Sequence, residues 1–247
     1  MQDISLSDAP LYTAIKQELA AGIASGEWRP GEALPPDARL AERFGVSVGT
    51  IRKAIDELVK DRLVSRHQGR GTFVARHDRE RMMFQFFNIV PRDRPAIYPG
   101  IRTITFGRGQ ANPKEARDLQ IEAGSAVFRI RNVLTFEGTP IIVDDLVLPV
   151  RLFRGLTGKV LVERESTIYS LYQTRFGISV IQTRERLRGA LATADLARLL
   201  GVRKGAPLLE IDRISLAHEE RPVELRRSMV NTAAHDYLTG LNRSARS

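Results

Sequence analysis

Apolar residues in the first third of the chain change their period once, and abruptly. Leu11, Ala14, Ile15, Leu19 and Ile23 recur at three- and four-residue spacing, as do Leu40, Ala41 and Phe44, and then Ile51, Ala54, Ile55, Leu58 and Val59. That spacing puts one apolar stripe on each of three helices. After Asp61 come Leu63-Val64-Ser65-Arg66, the glycine-bearing stretch His67-Gln68-Gly69-Arg70-Gly71, and Thr72-Phe73-Val74, which read as strand, turn, strand. The punctuation agrees. Gly26 stops the first helix and Arg29-Pro30-Gly31 turns the chain. Pro35-Pro36 suits the opening of a short second helix, where a missing N–H has no partner to lose. Gly45-Val46-Ser47 makes a tight turn, with Ser47 as N-cap of the third helix.

Two helices around a tight turn, a helix before them and a hairpin after them predict a winged helix-turn-helix over residues 8–77. In that arrangement the third helix enters the DNA major groove by its N-terminal residues. Ser47, Val48, Gly49, Thr50, Arg52 and Lys53 lie off its apolar stripe and are the candidate DNA-binding residues. Arg52 can fork onto guanine or grip phosphate. Gly69-Arg70-Gly71 offers one guanidinium between two residues that let backbone approach closely, suited to phosphate or the minor groove.

A length of 247 residues favours two domains. An apolar fraction of 43% supplies real cores and argues against disorder. The net charge of +9 suggests a polyanionic partner, but residues 1–77 hold 11 Lys/Arg against 10 Asp/Glu, leaving 27 against 19 to the remainder. Charge alone would therefore point to the wrong half for nucleic acid, where clustering on one face matters more than the total. Without cysteine there are no disulfides, thiolate zinc sites or cysteine nucleophiles. The histidines, His67, His77, His218 and His235, are scattered, so neither metal nor cofactor is expected. No apolar run suits a membrane span, and MQDISLSDAP lacks the features of a signal peptide. The expectation is a soluble cytoplasmic protein.

Residues 11–75 resemble the DNA-binding domain of GntR-type bacterial transcription regulators. The resemblance runs from Gly26 to Leu34-Pro35, through Leu40-Ala41, Phe44-Gly45-Val46-Ser47, Thr50-Ile51-Arg52-Lys53-Ala54 and Leu58, to Gly69-Arg70-Gly71-Thr72-Phe73-Val74. It departs at Ala38 and Val48, where the family usually carries DNA-touching arginines. Arg39, one place along, is the candidate substitute for the first. The operator is therefore not expected to follow the family's usual pattern.

After a linker at 78–85, residues 86–244 alternate strands and helices and predict a mostly antiparallel α+β domain. Strands are expected at Arg102–Phe106, Ala126–Phe136, Pro140–Leu148, Ile178–Leu191, Leu208–Ala217 and Val223–Val230. Helices are expected from Asn112-Pro113, over Thr167–Phe176 and over Thr193–Leu200. Ala116-x-x-Leu119 with Gly124-Ser-Ala-Val127 is echoed by Ala197-x-x-Leu200 with Gly205-Ala-Pro-Leu208. This is either a duplicated helix–turn–strand unit or shared turn chemistry.

This half resembles the UTRA effector-binding domain of the HutC branch of those regulators, through Gly124, Gly138-Thr139-Pro140, Leu148-Pro149, Ser170-Leu171-Tyr172, Ala197-x-x-Leu200-Gly201, Gly205-Ala-Pro207-Leu208-Leu209 and Pro222-Val223-Glu224. The resemblance implies a chorismate-lyase-like fold and a small-molecule pocket lined by Asp144, Ser170, Tyr172 and Glu224. Members that bind phosphosugars carry an Arg-x-Arg pair where this chain has Asn132 and Leu134. Arg129 and Arg131 stand at an odd offset, which turns them to the opposite face of the strand. Arg92 and Arg94 in the loop Pro91–Pro95, with Arg184 and Arg226, are the remaining cations for a ligand. Arginine is the usual bidentate partner of a carboxylate. The expected effector is thus a small organic acid, bearing an amine or hydroxyl, rather than a sugar phosphate.

The leading function is a homodimeric, ligand-responsive regulator, a repressor released from double-stranded operator DNA when a metabolite favours its non-binding state. The alternatives are a lyase-like enzyme of the same fold fused to a DNA-binding module, and an architectural DNA binder that ignores ligands. Against the enzyme, there is no Gly-x-Ser-x-Gly elbow, metal cluster or phosphate-cradling glycine loop. Against the architectural binder, the first domain is close to neutral.

Overall fold

Two left-handed glycines end the first two helices of the computed structural model: Gly26 after α1 (Leu11–Ser25) and Gly45 after α2 (Asp37–Phe44). The structure describes residues 10–61, 63–76, 86–93, 95 and 97–238. Chain contacts divide it into two units, residues 1–76 and 77–247. The expected linker lies outside the described residues.

In the first unit α3 (Val48–Lys60) packs on α1 and α2, and β1 (Val64–His67) pairs antiparallel with β2 (Gly71–Val74). Ile15, Leu19, Ile23, Leu40, Ile51, Ala54, Ile55 and Leu58 are buried, while Leu11 at the frayed end of the first stripe is exposed. Two features exceed the periodic pattern. Trp28 is buried against α1, where a Cβ on Gly22 would stand 2.5 Å from its ring. The segment before α2 runs beside the wing: Gly31 N–H donates to the Val74 carbonyl, and Leu34 N–H to that of Thr72, each at 2.8 Å.

In the second unit β4 (Gly100–Gln110), β5 (Ala126–Phe136), β6 (Thr139–Pro149), β7 (Gln182–Leu191), β8 (Pro207–Leu216) and β9 (Pro222–Val230) form one antiparallel sheet in the order β4-β5-β6-β9-β8-β7. The fold is α+β, with an antiparallel sheet, as expected. The halves β4-β5-β6 and β7-β8-β9 mirror each other about the β6–β9 pair. Each has a helix between its first two strands: α4 (Pro113–Leu119), capped by the Asn112 side chain, and α7 (Ala194–Leu200), capped by Thr193. The turns after them share their hydrogen bonds. Gly124 N–H donates to the Ala111 carbonyl at 2.9 Å and Gly205 N–H to that of Ala192 at 2.8 Å. The echo in sequence is thus a repeated unit in space.

The sheet has two unlike faces. On one, α5 (Gly158–Val162) and α6 (Ile168–Phe176) belong to the domain's largest apolar cluster, with Phe128, Ile130, Leu148, Phe153 and Tyr172. The other carries α4 and α7 at its flanks. A separate pair, β3 (Ile89–Pro91) with β10 (His235–Tyr237), and helix α5 went unseen in the sequence. Three- and five-residue elements are too short to show a period. The strand expected from Ile178 begins only at Gln182; Ile178 and Val180 instead bury under α6 in the main cluster. Among the described residues no helix is long and apolar enough to cross a membrane.

Candidate functional site

The start of α3 is built as a helix N-terminus should be. The Ser47 hydroxyl accepts the Thr50 N–H at 3.1 Å and stands 2.9 Å from the Thr50 hydroxyl. Gly49, Arg52 and Lys53 are exposed beside it, while Val48 and Thr50 are half-buried. Arg52 donates from Nε to Asp37 at 3.0 Å, and the Lys53 ammonium sits 4.1 Å from the centroid of Tyr12. Arg39 pairs with Glu42 at 3.4 Å within α2. All three contacts are at the surface, where ion pairs contribute at most about 1 kcal/mol and exchange readily for phosphate. In the wing, Gly69 and Gly71 take φ of 70° and 109°, and exposed Arg70 makes no ion pair among the described residues.

On the helix-covered face of the sheet, cross-strand register gathers a buried polar cluster. Asp144 lies opposite Ser228, and Glu224 opposite Ser215. The Arg226 fork donates to Glu224 at 3.0 and 3.1 Å and reaches Asp144 at 3.3 Å. Tyr169 and Tyr172, three residues apart on α6, lower their hydroxyls onto the same carboxylate. Tyr172 donates to Glu224 at 2.6 Å; Tyr169 stands 2.7 Å from the Ser215 hydroxyl and donates to Glu224 at 3.3 Å. Asp144 accepts from Ser228 at 2.5 Å. Burial pushes the Asp144 carboxyl above its ordinary range, with Arg226 and Ser228 pulling the other way. Burial, and then Glu224, push the Tyr172 hydroxyl far above its usual value, so it stays a donor. Burial disfavours the charge on Arg226, but Glu224, Tyr169 and Asp144 outweigh it and keep the guanidinium protonated.

Beside this cluster lies a cavity of about 20 Å³, bounded by Asp144 on β6, Arg226 on β9, Asn132 and Leu134 on β5, and Tyr98 and Arg164 from the connections. Asn132 accepts from the Thr103 hydroxyl at 2.9 Å. Arg164 donates to the Leu161 carbonyl; its buried Nε has no partner among the described residues. Burial holds its pKa below the ordinary arginine value.

The expected ligand residues therefore divide. Asp144, Tyr172, Glu224 and Arg226 do come together. However, Tyr172 and Glu224 are fully buried within the cluster, and Arg226 is committed to two carboxylates. Ser170 is half-buried on α6, its backbone N–H capped by Thr167 and its carbonyl accepting from Thr174, and it does not line the cavity. Arg92 is exposed and bound to Asp236 at 2.9 Å and to the Ala233 and Thr232 carbonyls. Arg184 lies on the opposite face of the sheet and pairs with Glu220 at 2.6 Å. Of the expected ligand residues Asp144 and Arg226 border this cavity, whereas Ser170, Tyr172, Glu224, Arg92 and Arg184 do not; Arg184 lines the cleft on the other face. Arg94 lies outside the described residues. Arg129 and Arg131 do turn away, onto Glu115 and onto Asp145 and Asp195. They line an open cleft of about 860 Å³ on the other face. Missed were Tyr169, Ser215, Ser228 and Arg164. A signal existed for Tyr169, which shares a helix face with Tyr172; Arg164 in a short connection had none.

Comparison with known proteins decides the family. Residues 11–74 match the model of bacterial regulatory proteins of the gntR family, and residues 97–236 match the UTRA domain. The chain belongs to the GntR family, in its UTRA-bearing branch. It is 30% identical over 209 residues to the HTH-type transcriptional repressor NagR of Bacillus subtilis, covering 84% of each chain. Against the histidine utilization repressor of Pseudomonas aeruginosa it is 29% identical over 207 residues, covering 83% and 81%. Among solved structures, the ligand-binding domain of a protein described as a GntR-family regulator from Bordetella bronchiseptica is 35% identical, with a TM-score of 0.61. It aligns with 63% of this chain and 97% of its own. This GntR protein is a DNA-binding transcriptional repressor with an effector domain, and not an enzyme.

Proposed function

We propose that the N-terminal turn of α3 and the wing of this regulator contact operator DNA through Arg39, Ser47, Val48, Gly49, Thr50, Arg52, Lys53, Gly69, Arg70 and Gly71. The cavity beside Asp144 is the effector site, and the effector is a small organic acid rather than a sugar phosphate. The make-up of the cavity wall carries this reading. Asn132 and Leu134 face it without charge, and Arg226 is committed to Glu224 and Asp144. One guanidinium, Arg164, is left for an anion, and one fork suits one carboxylate. A phosphate dianion buried there would be under-compensated by several kcal/mol. The name of the histidine utilization repressor, which refers to the use of an amino acid, fits an acid.

The active form is a homodimer through residues 78–247, because a two-fold pair of winged helices reads half-sites one helical turn apart. Effector binding shifts the pair toward the arrangement that releases DNA. Selecting bound sequences from random DNA, with sedimentation at micromolar concentration, tests the first part. A site without dyad symmetry, or a monomer, counts against the dimer. Thermal shift and operator release test the second. Carboxylates should raise the melting temperature and release operator, while glucosamine-6-phosphate should do neither.

A further inference from the structure

The cavity is electrically lopsided. On the sheet side stand two buried carboxylates, Asp144 at 2% exposure and Glu224 at 0%, against one cation that touches both, Arg226. The neighbouring Arg213 favours the Asp144 charge from a distance, but its own hydrogen bonds go to Glu185 and the Phe86 carbonyl. Glu224 is saturated: Arg226 forks both of its oxygens, Tyr172 donates to one of them, and the hydrogen-bonded Tyr169–Ser215 hydroxyl pair supplies a further donor to the other. Among the described residues Asp144 accepts hydrogen bonds from the Ser228 hydroxyl and, at a long 3.3 Å, from Arg226. One negative charge on this wall is therefore under-compensated, and it is Asp144 that borders the cavity.

On the wall of the same cavity Arg164 has the opposite defect. It makes no salt bridge among the described residues, and its buried Nε has no partner. An under-paired anion and an unpaired cation thus face one space without touching. With about 20 Å³ between them there is room for about one water, and a single water cannot neutralise either charge. Tyr98, Ile101 and Arg164 are the half-buried members of the wall, the side through which a ligand would have to enter.

We propose that the effector is a zwitterion, an amine-bearing carboxylic acid whose ammonium group is received by Asp144 and whose carboxylate is received by Arg164. This rests on the cavity being the effector site. Both ends form charge-assisted hydrogen bonds. A plain carboxylate would satisfy Arg164 and leave Asp144 as it is. A plain amine would do the reverse. Asn132 borders the same cavity; its amide oxygen accepts from Thr103, and its amide N–H groups are a neutral donor for the carboxylate.

The test is thermal shift and calorimetry on the full-length protein with four probe sets: the standard amino acids with ω-amino acids, the same acids without the amine, the same amines without the acid, and glucosamine-6-phosphate. At least one zwitterion should raise the melting temperature and release operator, and its deaminated analogue should bind about tenfold to hundredfold more weakly. Arg164→Gln should weaken the zwitterion by a similar factor. Asp144→Asn should narrow the gap between zwitterion and plain acid. Arg164 is half-buried with one hydrogen bond, so its variant reports even if Asp144→Asn folds poorly. If plain carboxylates act as well as or better than every zwitterion, or no zwitterion acts at all, the inference is overturned. The first result spares the organic-acid reading, whereas action by the sugar phosphate alone removes both.

Discussion

Arg226 forks onto Glu224, two residues away on the same face of β9, with Nε and Nη2 at 3.0 and 3.1 Å from its two oxygens. Alternation along a strand places such a pair side by side. What makes the pair costly to disturb is its setting, beneath α6 with Glu224 wholly inaccessible and two tyrosine hydroxyls directed at it. A buried pair of this kind adds little over an apolar substitute of the same shape, but removing one member strands the other.

Arg226→Met should therefore lower the unfolding free energy by about 3–5 kcal/mol, read from urea denaturation. The triple variant Asp144→Asn, Glu224→Gln, Arg226→Met should recover much of that loss, since no charge is then left buried. A single variant within 1 kcal/mol of the parent, roughly the cost of an exposed pair, would contradict the buried network.

Tyr172→Phe removes a neutral donor to a buried carboxylate and should cost about 1.5–3 kcal/mol. Tyr169→Phe should cost less, because Ser215 still donates to Glu224 at 3.1 Å. Equal losses in thermal unfolding would show that the two hydroxyls are not ranked as their distances imply.

Two carboxyls should give opposite pH signatures. Burial opposes the charge on Glu115, but Arg129 and the Asn112 N–H win and hold its pKa below the ordinary 4.5. Its contribution is present above pH 4.5 and lost as pH falls through the lowered value. Asp144, raised by burial above 3.8, contributes stability below that value and loses it as pH rises. Relative to the wild type, Glu115→Gln should therefore look worse as pH rises from acid, and Asp144→Asn should look better. Denaturation midpoints of both variants between pH 3 and 7 check the signs.

If α3 docks as proposed, Arg52→Ala should weaken operator binding by about 1–3 kcal/mol at fixed salt and relax sequence preference at one base pair. Arg70→Ala should weaken binding across sequences and reduce the salt slope by about one, as expected for a phosphate contact. Fluorescence anisotropy over a salt series separates the two. Unchanged affinity in both variants would remove the docking.

The sequence alone determined what depends on neighbours in the chain. Helix stripes, the stops at Gly26 and Gly45, the Ser47 cap, and the repeated turns at Gly124 and Gly205 follow from spacing and local hydrogen bonding. So did the facing of Arg129 and Arg131 away from Asn132 and Leu134, because a strand alternates with period two. Tertiary structure decided the site. Asp144 meets Arg226 across 82 residues only because β6 pairs with β9 in one register. Arg184, equally plausible from its strand, falls on the other face by the register of β7 on β8. Arg164 reaches the cavity from a connection with no periodic signal. Register between distant strands, and the docking of a helix over them, is set by which apolar faces bury together. No local pattern encodes which lone arginine ends up beneath them.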